Sequence, residues 1–90
     1  MEEVVTDAEK DINIDALLER NLVIHNDDFT SFELVIISLV EICGHSLVQA
    51  EQCAWITHYK GKCKVKHGSY EFLSPLKQAI LDRKINCTIE

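Results

Sequence analysis

The 90-residue sequence predicts an α+β domain, a two-layer β-α-α-β-α-β sandwich in which three helices pack on one face of a three-stranded antiparallel sheet. Three observations predict this fold. An apolar run, "NLVIH" (21–25), precedes the first helical pattern. Residues 60–68 alternate strictly, as a half-buried strand does, and the segments around them have apolar residues spaced by three and four, as helices do.

The first strand is predicted at residues 21–25, because the run is short, apolar and rich in β-branched side chains. Thr30 is expected to cap the helix that follows, and Glu33 completes a capping box with it. Apolar side chains then recur every three or four residues until Gly44, which is expected to end this helix.

The second helix is predicted to begin at Ser46, which starts another capping box, and to end near Gly61. In the strand at 60–68, lysines occupy every second position and make one face exposed. The opposite face is expected to carry Cys63, Val65 and His67.

The third helix is predicted to start at Ser74, with Pro75 as its first residue, and to run to about Arg83. Residues 84–90 are interpreted as the closing strand. Its apolar face is expected to carry Ile85, Cys87 and Ile89.

Charge divides the chain into two parts. The net charge is −6, but residues 1–20 hold seven acids and two bases, whereas residues 21–90 hold eight acids and seven bases. We therefore expect residues 1–20 to be a flexible acidic extension and residues 21–90 to be the folded domain. A nearly neutral domain with an acidic extension argues against nucleic acid as the partner.

The expected compartment is the cytoplasm. No apolar run reaches the roughly 18 residues of a membrane span, and the acidic start lacks the features of a secretory signal. The four cysteines form no CxxC pair and are interpreted as free thiols, of which Cys43, Cys53 and Cys63 are expected to be small core residues.

An amide and two carboxylates lie side by side at Asn26, Asp27 and Asp28, between the first strand and the first helix. One interpretation is structural, since such residues form turns and suit the positive end of a helix dipole. The other is that their charge and acceptors bind a cationic ligand.

The motif Asn26-Asp27-Asp28-Phe29-Thr30, followed by His58-Tyr59-Lys60-Gly61 and a terminal Cys87-Thr88-Ile89-Glu90, resembles the ClpS family over residues 21–90. These proteins are adaptors of the bacterial ATP-dependent Clp protease, and the short segment before Ile85 resembles the Bacteroidetes branch. The resemblance implies a monomeric, cofactor-free, non-enzymatic adaptor. It would bind N-degron proteins that begin with Leu, Phe, Tyr or Trp, and deliver them to a ClpA- or ClpC-type AAA+ unfoldase coupled to ClpP.

The resemblance also implies a binding site. The α-amino group of the substrate would be held by Asn26, Asp27 and His58. The pocket for its first side chain would be lined by Asp28, Thr30, Phe32, Val35, Ala54, Thr57 and Ile85. This chain departs from the family pattern in having Ser31 in place of a proline and Phe32 in place of a methionine at the pocket entrance.

Three other functions stay open from the residues alone. One is a small peptide-binding module unrelated to proteolysis. Another is a metal-binding domain that uses Cys43, His45, Cys63 and His67, although their spacing matches no recognised zinc motif. A third is a small enzyme based on His58, although no residue is marked as a nucleophile.

Overall fold

The computed structural model describes residues 18–90 of the chain. Three strands and three helices follow the predicted order and form the predicted α+β fold. The elements are β1 (Glu19–His25), α1 (Phe32–Cys43), α2 (Leu47–Lys60), β2 (Lys62–Ser69), α3 (Tyr70–Asp82) and β3 (Cys87–Ile89). Most of the predicted acidic extension, residues 1–17, lies outside the described residues.

The sheet is antiparallel, and β1 lies in its centre between β2 and β3. β1 begins at Glu19, two residues before the predicted strand, and its pairing with β2 runs from Glu19 opposite Ser69 to His25 opposite Lys62. The pairing register shifts between Leu22 and Val23. At this bulge β2 has one extra residue, Val65, between the partners of Leu22 and Val23.

His67 lies beyond that shift and is exposed, so its predicted place on the buried face with Cys63 and Val65 is wrong. Its ring nitrogens lie 3.2 Å from the Asn21 side-chain oxygen and 2.7 Å from a carboxylate oxygen of Glu19. Asn21 and Glu19 therefore give the His67 ring nitrogens polar partners outside the core.

Helix α1 is capped by Ser31, whose hydroxyl accepts a hydrogen bond from the Leu34 backbone N–H at 3.1 Å. The predicted cap, Thr30, is wrong because its hydroxyl donates instead to the Asp27 carboxylate. The end of the helix at Gly44 is confirmed, with φ of +72° in the left-handed region.

Helix α2 begins and ends as predicted. The Ser46 hydroxyl accepts from the Gln49 backbone N–H at 3.1 Å, and Gly61 closes the helix in the left-handed conformation. The N–H of Gly61 donates to the Thr57 carbonyl. Both ends of this helix are therefore fixed by local chemistry that the sequence displays.

Helix α3 starts at Tyr70, capped by Ser69, so the predicted start at Ser74 is wrong. Ser69 offers the same cap five residues earlier, and the added turn places Leu73 in the core. Pro75 lies inside the helix, where it has no backbone N–H to donate to the preceding turn.

The hydrophobic core lies where the helices meet the sheet. The most deeply buried large side chains of this core are Leu22 and Ile24 from β1, Leu39 from α1, and Leu73 and Ile80 from α3. The four cysteines are buried and free, as interpreted from the sequence. Among residues 18–90, no helix combines the length and apolar character needed to cross a bilayer.

Candidate functional site

The loop between β1 and α1 is organised by Asp27. One carboxylate oxygen, Oδ1, accepts the backbone N–H groups of Phe29 at 2.8 Å and Thr30 at 2.7 Å. The other oxygen, Oδ2, accepts the Thr30 hydroxyl at 3.0 Å. The structural interpretation of this carboxylate as a turn former therefore applies to Asp27, which holds the loop by three hydrogen bonds.

These hydrogen bonds also fix the ionisation of Asp27. The backbone N–H of Phe29, followed by that of Thr30, lowers the pKa of the Asp27 carboxyl below its usual value. Asp27 is consequently a carboxylate at neutral pH. Oδ1 is occupied by two donors, whereas Oδ2 has one donor and retains capacity to accept another hydrogen bond.

A cavity of about 350 Å³ opens beside this loop, bounded by α1 and α2. Its lining consists of nine of the ten residues predicted from the sequence: Asn26, Asp27, Asp28, Thr30, Phe32, Val35, Ala54, Thr57 and His58. The tenth, Ile85, does not line it and is instead buried in the hydrophobic core, 3% exposed. The predicted place of Ile85 in the pocket therefore differs from its place in this structure.

The cavity has an apolar interior and a polar rim. Val35, Ala54 and Thr57 are buried, and the Thr57 hydroxyl donates within its own helix to the Cys53 carbonyl at 2.8 Å. Asn26 and His58 lie exposed at the rim. Among residues 18–90, the side chains of these two rim residues have no hydrogen-bond partner, which leaves their acceptor atoms available to a ligand.

One backbone contact sets the distance across the rim. The N–H of Asn26 donates to the Gly61 carbonyl at 2.8 Å. Gly61 closes α2 three residues after His58, so the loop with Asn26 and Asp27 is tied to the helix end that presents His58.

Residues 19–88 match the family model of ClpS, described as the ATP-dependent Clp protease adaptor protein ClpS. The chain belongs to the ClpS family. The structure also resembles that of ClpS2 from Agrobacterium tumefaciens bound to L-phenylalaninamide, with a TM-score of 0.73 and 20% sequence identity over 80% of this chain and 94% of that one. This likeness shows a shared fold. No curated protein matches the chain.

This ClpS-family chain has an aromatic cluster at the cavity that the sequence analysis did not identify. The ring of Phe32 lies 4.9 Å from that of Trp55 in an edge-to-face arrangement, and the Trp55 and Tyr59 rings are stacked 5.1 Å apart. The ring of His58 lies 5.1 Å from that of Tyr59. The spacing of Trp55 and Tyr59 by four residues, beside His58, was the available signal.

The residues considered for a metal site are not arranged as metal ligands in the described part of the chain. His45 is buried, and its Nε2 donates to the Val65 carbonyl at 2.6 Å. Within the described part of the chain, no group of three or more histidine, cysteine or acidic side chains is arranged to hold a metal ion. The metal-binding alternative therefore finds no support in the geometry of this ClpS-family domain.

Proposed function

We propose that this chain binds N-degron proteins by their free α-amino group and a bulky hydrophobic first residue, and delivers them for degradation by ClpP. The observation on which the proposal depends is the arrangement of the cavity, in which the ionised Asp27 lies at the rim with Asn26 and His58. Membership of the adaptor family supports the delivery step. The related fold of ClpS2 was solved with L-phenylalaninamide, an amino-acid amide with a free α-amino group.

The rim suits a protonated amine. An α-ammonium group has three N–H donors and a full positive charge, and burying it is costly unless acceptors and an anion meet it. Asn26 offers an amide oxygen, Asp27 the free capacity of Oδ2, and His58 a ring nitrogen. Acetylation of the amine removes the charge and two of the three donors, so an acetylated peptide is expected not to bind.

The interior suits one large apolar side chain. Phe32, Val35 and Ala54 give the walls apolar character, and the volume of about 350 Å³ accommodates a single bulky side chain. Burying a side chain such as Leu or Phe contributes about 1.5–3 kcal/mol. Leu, Phe, Tyr and Trp, which the family resemblance implies as first residues, are the ones proposed here.

The proposed partner is a ClpA- or ClpC-type AAA+ unfoldase, and the proposed place of action is the cytoplasm, with the adaptor acting as a monomer. The proposed role is binding and transfer of the substrate, without a catalytic step or a cofactor. A degradation assay with purified unfoldase and ClpP separates this function from a peptide-binding module unrelated to proteolysis, because only the adaptor accelerates substrate loss.

Binding is tested with fluorescent peptides that differ only in residue one, each with a free and an acetylated terminus. Replacing Leu by Ala removes three carbon groups at about 0.8 kcal/mol each, so affinity should fall by roughly 60-fold. Asn26→Ala should weaken binding of every free-amine peptide. Asn86→Ala is the matched control, because Asn86 is also exposed and does not line the cavity. Equal binding of free and acetylated peptides would contradict the proposal.

A further inference from the structure

Glu51, Trp55 and Tyr59 lie on one face of α2, since they are spaced by four residues. We call this set the α2 aromatic face. All three side chains are exposed, with Trp55 at 48% and Tyr59 at 73%. The Trp55 and Tyr59 rings are nearly parallel, at an interplanar angle of 8°. The α2 aromatic face therefore presents stacked rings to solvent instead of burying them in the core.

The α2 aromatic face is continuous with the cavity through two contacts. Phe32 lines the cavity, and its ring is 4.9 Å from that of Trp55. His58 lines the cavity too, and its ring is 5.1 Å from that of Tyr59. The stacked rings therefore lie directly beside two residues of the cavity lining.

The acidic side chain on this face is Glu51, whereas the basic Lys60 follows Tyr59 by one residue and does not share the spacing of four. Glu51 lies one turn before Trp55, and Asp28 lies on the cavity rim. Within residues 18–90, neither carboxylate forms an ion pair with a lysine, arginine or histidine. An aromatic surface flanked by unpaired carboxylates attracts a cation by both its ring faces and its charge.

We propose that the α2 aromatic face is a second subsite, which binds an arginine side chain at position two of the substrate. The inference rests on the proposed function, because that function places residue one in the cavity. Consecutive Cα atoms are about 3.8 Å apart, so the long arginine side chain at position two reaches rings that lie next to the rim. The planar guanidinium stacks on an aromatic face and pairs with a carboxylate at the same time, which a lysine ammonium does less well.

The test compares free-amine peptides beginning Leu-Arg, Leu-Lys, Leu-Gly, Leu-Glu and Leu-Gly-Arg in fluorescence anisotropy. Leu-Arg should bind about two- to fivefold more tightly than Leu-Gly, as expected of a cation over exposed aromatic rings. Leu-Lys should fall between them, and Leu-Glu should bind more weakly than Leu-Gly. The advantage of Leu-Arg should shrink as salt is raised, since the Glu51 carboxylate is exposed and screened.

Three variants locate the effect. Trp55→Ala and Tyr59→Ala should each bring the affinity ratio of Leu-Arg to Leu-Gly close to one, and Glu51→Gln should lower it and reduce its salt dependence. Ile56→Ala is the control, because Ile56 is exposed on the same helix, outside the ring cluster, and should keep the wild-type ratio. Tyr59 is mostly exposed, so its variant tests the proposal even if loss of Trp55 disturbs the packing of Phe32.

Acetylated versions of the same peptides separate this inference from the proposed function. Binding that disappears on acetylation but shows equal affinity for Leu-Arg and Leu-Gly overturns the subsite alone. Tighter binding of Leu-Gly-Arg than of Leu-Arg overturns the assignment to position two. Binding that acetylation leaves intact overturns both the proposed function and the subsite that depends on it.

Discussion

Replacing Asp27 by asparagine separates the two roles that this residue has in the structure and in the proposed function. An asparagine amide oxygen still accepts the backbone N–H groups that Oδ1 of Asp27 accepts from Phe29 and Thr30. Its NH₂ group takes the place of Oδ2 and donates to the Thr30 hydroxyl, which turns to accept. Asp27→Asn therefore preserves the turn and removes the charge, whereas Asp27→Ala removes both.

The expected loss of affinity follows from the kind of hydrogen bond that is lost. A charge-assisted hydrogen bond is about twice as strong as a neutral one, and the amide NH₂ cannot accept from the ammonium at all. We expect Asp27→Asn to weaken binding of a free-amine Leu peptide by at least about tenfold. Glu33→Gln is the matched control, because it removes one negative charge from the exposed first turn of α1, outside the cavity.

The dependence of protein stability on pH gives an independent measure of the structural role of Asp27. The pKa of Asp27 is lowered in the folded protein, so its ionisation stabilises the fold above the unfolded-state value of about 3.9. This contribution is lost as the pH falls through the lowered folded-state pKa. The difference in melting temperature between wild type and Asp27→Ala should thus be largest at pH 5–7 and shrink at lower pH.

Fluorescence anisotropy at pH 7 and thermal unfolding from pH 2 to 7 measure the two effects on the same proteins. If the Asp27→Asn protein melts near the wild-type temperature but binds peptide weakly, the negative charge of Asp27 contributes to peptide binding separately from its role in the turn. If that variant binds the free-amine peptide as tightly as wild type, the carboxylate serves only the turn, and the reasoning about the amine is refuted.

Two further predictions concern the cavity entrance and the extension. Phe32→Ala removes a ring that lines the cavity and packs on Trp55, so peptides beginning with the β-branched Ile or Val should gain affinity relative to Leu; an unchanged Leu-to-Ile ratio means that Phe32 serves only packing. A chain lacking residues 1–20 should bind peptides as the full chain does but fail to deliver substrates to the unfoldase, because we expect the acidic extension to engage the unfoldase; undiminished degradation contradicts this.

Some helix ends that are set by a local capping residue were predicted correctly from the sequence. Gly44, Ser46 and Gly61 act at the helix ends where they were expected. The errors arose where two equivalent signals competed. Thr30 and Ser31 both carry hydroxyls, and only the position of Asp27 decides which one is free to cap α1.

Either Ser69 or Ser74 could cap the start of α3. The start at Ser69 is the one observed, and it allows Leu73 to be buried in the core. The register shift beside Leu22 depends on pairing between strands and leaves no local pattern in the sequence. The cavity residues were predicted from the sequence motifs that resemble the ClpS family, because hydrophobic periodicity does not identify such a site. Nine of the ten surround one cavity, and their binding roles stay predictions.

The adjacent carboxylates of Asp27 and Asp28 are compatible with the fold because they have different surroundings. Asp27 accepts hydrogen bonds from backbone N–H groups that offset its charge, whereas Asp28 is exposed and screened by solvent.

The proposed substrate is recognised only through its first residue and so makes few contacts. Little affinity would therefore remain if the loop between β1 and α1 had to become ordered on binding. Here the loop is fixed beforehand at three places: Asn26 is bonded to Gly61, Asp27 closes the turn, and Ser31 caps α1. Ser31, which replaces the proline expected from the family pattern, thus contributes to that order by capping the helix, where a proline would have done so by restricting the backbone.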